Sequence, residues 1–133
     1  MKKIVPFLFI LSFLFSCSTN NGDNFESNKL TGKWKLIEQL ADPGDGSGVF
    51  KSIESDKILE FSSNGTITSN GSLCDPYSDE QISTGTYSLD DYTITTNCQN
   101  QNIAKIGFEL KNGYLILNFV SNEGFSQKFQ KLA

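Results

Sequence analysis

Three cysteines, Cys17, Cys74 and Cys98, carry the most distinctive chemistry in this chain, which has no histidine and no arginine. Without histidine the commonest general base and metal ligand are missing, and without arginine so is the bidentate clamp for phosphate or carboxylate. A serine or threonine nucleophile would then need a lysine or carboxylate base, and no serine-lysine motif stands out. A carboxylate pair able to hydrolyse a glycosidic bond is made by folding, and spacing does not reveal one. The expectation is therefore no catalytic residue, no metal ligand and no cofactor, and a protein that is not an enzyme. The segment from Asp42 to Gly48 offers carboxylates on a glycine-rich backbone. It lacks the alternate-position spacing of a calcium loop and is expected to be a plain turn.

Cys17 follows a short positive segment, Lys2 and Lys3, and an apolar run from Ile4 to Phe15 broken only by Pro6 and Ser12. That run suits the core of an export signal, which needs about 7 to 15 residues, and is too short to cross a bilayer, which takes about 20. Leu14, Phe15, Ser16 and Cys17 resemble the lipobox of bacterial lipoproteins, Phe15 being bulkier than the usual occupant. The resemblance implies that residues 1–16 are a cleaved signal peptide and that Cys17 is the lipid anchor. Residues 17–28, polar and rich in Asn, Ser and Gly, are then a flexible tether. Two or three acyl chains on one residue hold a protein on a membrane essentially permanently. Ser18 in place of an aspartate after the cysteine implies the outer membrane, with the periplasmic or exterior face left open.

With Cys17 assigned to lipid, Cys74 and Cys98 form an even pair in a chain bound for an oxidising compartment, and a disulfide is expected. Two thiols without histidine leave zinc short of its usual four ligands. Closing a loop of about 25 residues stabilises a fold by roughly 3.5 kcal/mol on the chain-entropy model.

The chain has 133 residues and a formal net charge of -4, which loss of Lys2 and Lys3 makes more acidic. One domain is expected, over residues 29–133. An acidic domain repels phosphate backbones, so nucleic acid is not expected as a partner.

From Lys29 onward, short runs of β-branched, aromatic and aliphatic residues alternate with turn signals and predict an all-β domain. Strands are expected over Lys33 to Leu40, Lys57 to Ser62, Thr66 to Asn70, Ser83 to Leu89, Tyr92 to Thr96, Ile103 to Lys111, Tyr114 to Phe119 and Phe125 to Leu132. Asn64-Gly65 and Asn112-Gly113 carry the residues of a type I′ turn; Asp90-Asp91 and Glu123-Gly124 are weaker turn candidates. A meander of about eight antiparallel strands can close and so remove its edges, which predicts a small up-and-down β-barrel. Alternation turns inward Trp34, Leu36 and Leu40, Leu59 with Phe61, Ile106 with Phe108 and Leu110, and Leu115 with Leu117 and Phe119. Gln127, between Phe125 and Phe129, either faces the interior or marks a bulge. Two long connections, from Ala41 to Ser55 and from Gly71 to Gln81, are the places to look for contacts with other molecules.

Gly32, Lys33 and Trp34, opening a meander behind a lipoprotein signal, resemble the start of a lipocalin, and in particular of the lipocalin-like domains of bacterial lipoproteins. The resemblance covers about Leu30 to Leu132. It implies that Gly32 lets the chain turn into the first strand and that Trp34 plugs one end of the barrel. Lipocalins lay an arginine across that tryptophan; here Lys128 or Lys131 is the expected substitute through a cation-π contact. The family's Thr-Asp-Tyr motif has no counterpart. The implied function is binding of a small apolar or amphipathic ligand, with Trp34, Phe61, Tyr87, Tyr92, Phe108, Phe119 and Phe129 as candidate lining residues. The same aromatics equally suit a barrel filled by its own side chains. The alternative is then a protein-interaction or hydrolase-inhibitor module that acts through its loops on an envelope partner.

Overall fold

The computed structural model describes residues 28–74, 78–100, 104–119 and 123–133. The expected signal segment, Cys17 and the expected tether up to residue 27 lie outside the described residues, as does the expected strand start at Ile103.

Among the described residues nine strand segments follow one another: β1 (Gly32–Ala41), β2 (Lys51–Ser52), β3 (Ile58–Phe61), β4 (Thr66–Ser69), β5 (Thr84–Ser88), β6 (Thr93–Thr96), β7 (Lys105–Lys111), β8 (Tyr114–Phe119) and β9 (Phe125–Lys131). Every neighbouring pair is antiparallel, and β9 returns to pair with β1. β2 and β3 succeed each other along the same edge of β1, β3 against Gly32 to Lys35 and β2 against Glu38 and Gln39. Between them Leu36 N donates to Lys57 O at 3.0 Å and Ile53 N to Ile37 O at 3.1 Å. The result is a closed, eight-stranded, up-and-down antiparallel barrel of lipocalin-like form.

Local chemistry explains the joins. Asn112 and Gly113 both take positive φ, 54° and 82°, as the β7–β8 hairpin with a type I′ turn requires. The Asn64-Gly65 join differs from expectation, since only Gly65 has positive φ, 87°. Gly65 N donates to Ser62 O at 3.2 Å and Ser62 N to Thr66 O at 2.9 Å, a tight turn finished by a glycine bulge. The Asn64 carboxamide is committed to that shape, its Oδ1 accepting from Thr66 N and Thr66 Oγ1 at 3.2 and 2.7 Å.

Inward-facing residues of the strands form one continuous core. Trp34, Leu36, Leu59, Phe61, Ile67, Ile94, Ile106, Phe108, Leu115, Leu117, Phe119, Phe125 and Phe129 all belong to it. Leu30, from a helical turn over residues 28–30, and Leu73, from the connection after β4, join it from outside the sheet.

The alternation of β1 is corrected at one point. The β1–β9 register shifts between Leu36 and Glu38, so Leu36 pairs with Phe129 while Gln39 pairs with Gln127 and Leu40 with Ser126. The extra residue reverses the side-chain parity of the strand. Leu40 therefore leaves the face of Trp34 and Leu36, and Gln39 takes the inward side. Gln127 faces the interior at 3% exposure, and the irregularity belongs to its partner strand.

Cys74 and Cys98 are joined by a disulfide, with Cα atoms 6.0 Å apart. It ties the connection after β4 to the one after β6, in a small buried cluster with Ala104 against which Ile82 packs. Glu80 stands beside the two sulfurs. Its Oε1 accepts from Gln99 N at 2.7 Å, which adds a second tie between the same connections. Among the described residues no helix is long and apolar enough to cross a membrane.

Candidate functional site

The two ends of the barrel are chemically unlike. At the end where β1 begins, Trp34 is buried and its indole Nε1–H donates to Leu30 O at 2.8 Å. Lys131, the cross-strand partner of Trp34 on β9, sets its Nζ 5.5 Å from the centre of the indole ring. The same ammonium donates to Lys29 O at 2.7 Å and to Asn28 O at 3.5 Å. Lys131 is thus the substitute for the missing arginine. Gly32 makes room for it: its φ is 129°, and a Cβ there would lie 3.2 Å from Lys131 Cε. Lys128 lies elsewhere, on the outer face, paired with Glu38 at 3.0 Å and over the rings of Tyr114 and Phe50 at 4.8 and 5.3 Å. A shallow concavity of about 420 Å³ at this end is lined by Lys29, Trp34, Leu110, Asn112, Gly113 and Lys131. Helical turn, indole and lysine together seal the end.

Strand directions bring the long connections to the opposite end. Here the loop after β1 is organised by Asp42. Its Oδ1 accepts from Gly44 N at 2.7 Å and Gly46 N at 3.0 Å, and its Oδ2 from Gly48 N at 2.7 Å. The Gly48 amide leads those that hold the Asp42 carboxyl below the usual carboxylate range. Glycine is needed at position 48, where a Cβ would fall 2.8 Å from Asp42 Cβ. The carboxylate thus folds onto its own backbone, and the loop is a self-capped turn. Because protonation removes the charge that strengthens these hydrogen bonds, the order of this loop is expected to fade as pH falls below the carboxylate range, visible as lower amide protection factors at Gly44 and Gly48 relative to the intrinsic exchange rate at each pH.

Within the barrel towards this end lies a polar cluster that alternation alone did not reveal. Lys57 Nζ donates to Gln127 Oε1 at 3.1 Å, and Gln127 Nε2 donates to Gln39 Oε1 at 3.3 Å. Two strands and the lead-in to a third supply it: Gln39 is turned inward by the β1 bulge, Gln127 alternates with Phe125 and Phe129, and Lys57 precedes β3 on the parity of Leu59 and Phe61. Burial lowers the Lys57 pKa from 10.5 to about 8. The unfolded chain then holds that proton more tightly than the native state between pH 8 and 10.5. Stability must therefore rise with pH through that window, and the cost of the buried charge, up to roughly 3 kcal/mol, is borne below it. Lys57→Met is expected to unfold at higher urea than the parent at pH 7, with the gap shrinking by pH 9.5.

The candidate lining residues divide into three groups. Trp34, Phe61, Phe108, Phe119 and Phe129 are core residues, exposed by 6% or less. Tyr87 packs partly buried on the core, its ring 5.1 Å from that of Phe61, and its hydroxyl donates to Ser62 O at 2.5 Å. Tyr92, with positive φ, is 40% exposed at the sealed end, its ring against Phe108. Of the seven only Phe119 stands at the end that carries the long connections, where its ring centre is 5.5 Å from that of Phe125. Lys57 and Gln39 were missed because a strand-leading lysine and a strand glutamine read as surface. The available signal was parity, since Lys57, Leu59 and Phe61 share one face.

Searches against family models, curated proteins and solved structures return no match. The class is thus defined by architecture: a closed eight-stranded antiparallel barrel, lipocalin-like in its form and in its Gly32–Trp34–Lys131 closure.

Proposed function

We propose that the chain is a lipid-anchored protein of the bacterial cell envelope, held on the outer membrane through Cys17, whose barrel takes a small amphipathic molecule at the end that carries the long connections, without covalent chemistry. The observation that carries the ligand reading is the asymmetry of the barrel. One end is sealed by Leu30, Trp34 and Lys131, while the other combines the apolar pair Phe119 and Phe125 with inward polar groups. An amphipathic molecule matches that mixture, a few placed polar groups in an otherwise apolar lining being the usual make-up of small-molecule sites. The anchor reading rests on Leu14 to Cys17 behind the apolar run. Its expected result is incorporation of labelled palmitate into the full chain, abolished by Cys17→Ala together with loss of the protein from the membrane fraction.

For the ligand, 1-decanol titrated into the disulfide-bonded protein is expected to give saturable amide shifts at Leu73, Phe119, Phe125 and Gln127. Shifts confined to Trp34 and Leu110, or none that saturate, would contradict it. A second reading, docking of an envelope protein, is favoured by Val49, an apolar side chain 61% exposed on the loop that Asp42 holds in shape. Its expected signature is a partner co-purified from envelope extract and lost with Val49→Asp.

A further inference from the structure

We propose that Lys57, Gln127 and Gln39 form a head-group site selective for a carboxylate-bearing ligand. This rests on the reading that the barrel takes an amphipathic molecule, and names the chemistry of its polar end. The three side chains are set among apolar neighbours on the same strands: Leu36 precedes the bulge on β1, Leu59 follows on β3, and Phe125 and Phe129 flank Gln127 on β9. A barrel built only to be filled is better served by apolar side chains there, since buried polar groups are favourable only when fully matched.

The ammonium has three donors, of which Gln127 Oε1 accepts one. Among the described residues no carboxylate forms a salt bridge with it. Both ends of the Gln127 amide are committed, one to Lys57 and one to Gln39, which fixes the direction of the ammonium. The site therefore supplies one positive charge flanked by neutral amides. A monoanion balances that charge, whereas a phosphate dianion leaves an excess negative charge with no arginine in the chain to meet it. A charge-assisted hydrogen bond to a carboxylate is about twice as strong as a neutral one.

The test is calorimetric titration of the full disulfide-bonded protein with decanoate and with 1-decanol, each below its aggregation limit. Decanoate is expected to bind at least tenfold more tightly than decanol. Lys57→Met should bring the two within about threefold of each other while decanol affinity is kept, and Lys57→Gln, which keeps a donor without the charge, should do the same. Equal affinities in the parent protein, or a decanoate preference that survives both substitutions in folded variants, would overturn the site and leave the amphipathic-ligand reading standing. Failure of both probes to bind would overturn that reading and the site with it.

Discussion

Replacing Trp34 by alanine is expected to cost on the order of 4 kcal/mol, a large share of the 5 to 15 kcal/mol by which a domain of this size is stable. The indole fills the barrel end, and three interactions fail with it. Its volume leaves a cavity against Leu30 and Leu59, its Nε1–H no longer meets Leu30 O, and Lys131 loses the ring beneath its ammonium. Trp34→Phe separates these contributions. It keeps much of the volume but leaves Leu30 O without its donor, for a cost of about 1 to 2 kcal/mol. Urea unfolding followed by far-UV circular dichroism is the appropriate readout, because Trp34 is the only tryptophan and its fluorescence leaves with it. If Trp34→Ala unfolds within 1 kcal/mol of the parent, the sealed-end account is wrong.

The second large effect is at the other end. Removing the disulfide by Cys74→Ala with Cys98→Ala is expected to cost roughly 3.5 kcal/mol, from the chain entropy that the bridge withholds from the unfolded state. For a domain of about a hundred residues that lowers the melting temperature by roughly 15 °C. The bridge also holds the connection that delivers Leu73 to the core, where Leu73 N donates to Ile82 O at 2.6 Å. The double variant is therefore expected to lose amide protection first around Leu73 and Ala104, and only later in β1 and β9. Both cysteines are 1% exposed, so reduction of the native protein should be slow without denaturant. Unchanged melting would show the bridge to be incidental to the fold.

Much of this architecture was readable from alternation. The runs around Trp34, Phe61, Phe108 and Leu117 put hydrophobic residues at every second position, and a period of two specifies a strand with one buried face. Asn112-Gly113 fixed its hairpin because both residues tolerate positive φ. Asn64-Gly65 has the same letters but makes a different turn, since the Asn64 carboxamide closes onto Thr66 and leaves only Gly65 with positive φ. β2 was not legible: Lys51 and Ser52 are both exposed, and a two-residue strand has no period.

The bulge in β1 was half legible. Unbroken alternation from Trp34 and Leu36 would turn Glu38 into the core, a cost that a one-residue shift avoids by sending Glu38 out to Lys128. The same shift brings Gln39 in beside Gln127. The polar cluster therefore follows from a conflict visible in the sequence at Glu38 and Gln127, while its third member, Lys57, shares the parity of Leu59 and Phe61 and reaches Gln127 past β1. The aromatic residues do not by themselves mark a pocket, because large apolar side chains fill a small barrel as readily as they line a cavity.

The most direct measurement is native mass spectrometry of the chain expressed from Met1 and recovered by gentle detergent extraction. The expected spectrum is that of a polypeptide beginning at Cys17 with covalent acyl mass, two hydrogens lighter for the disulfide, carrying a small non-covalent adduct that denaturation removes. A clean mass without an adduct, unchanged after incubation with decanoate and 1-decanol, would contradict the claim that this barrel binds an amphipathic molecule.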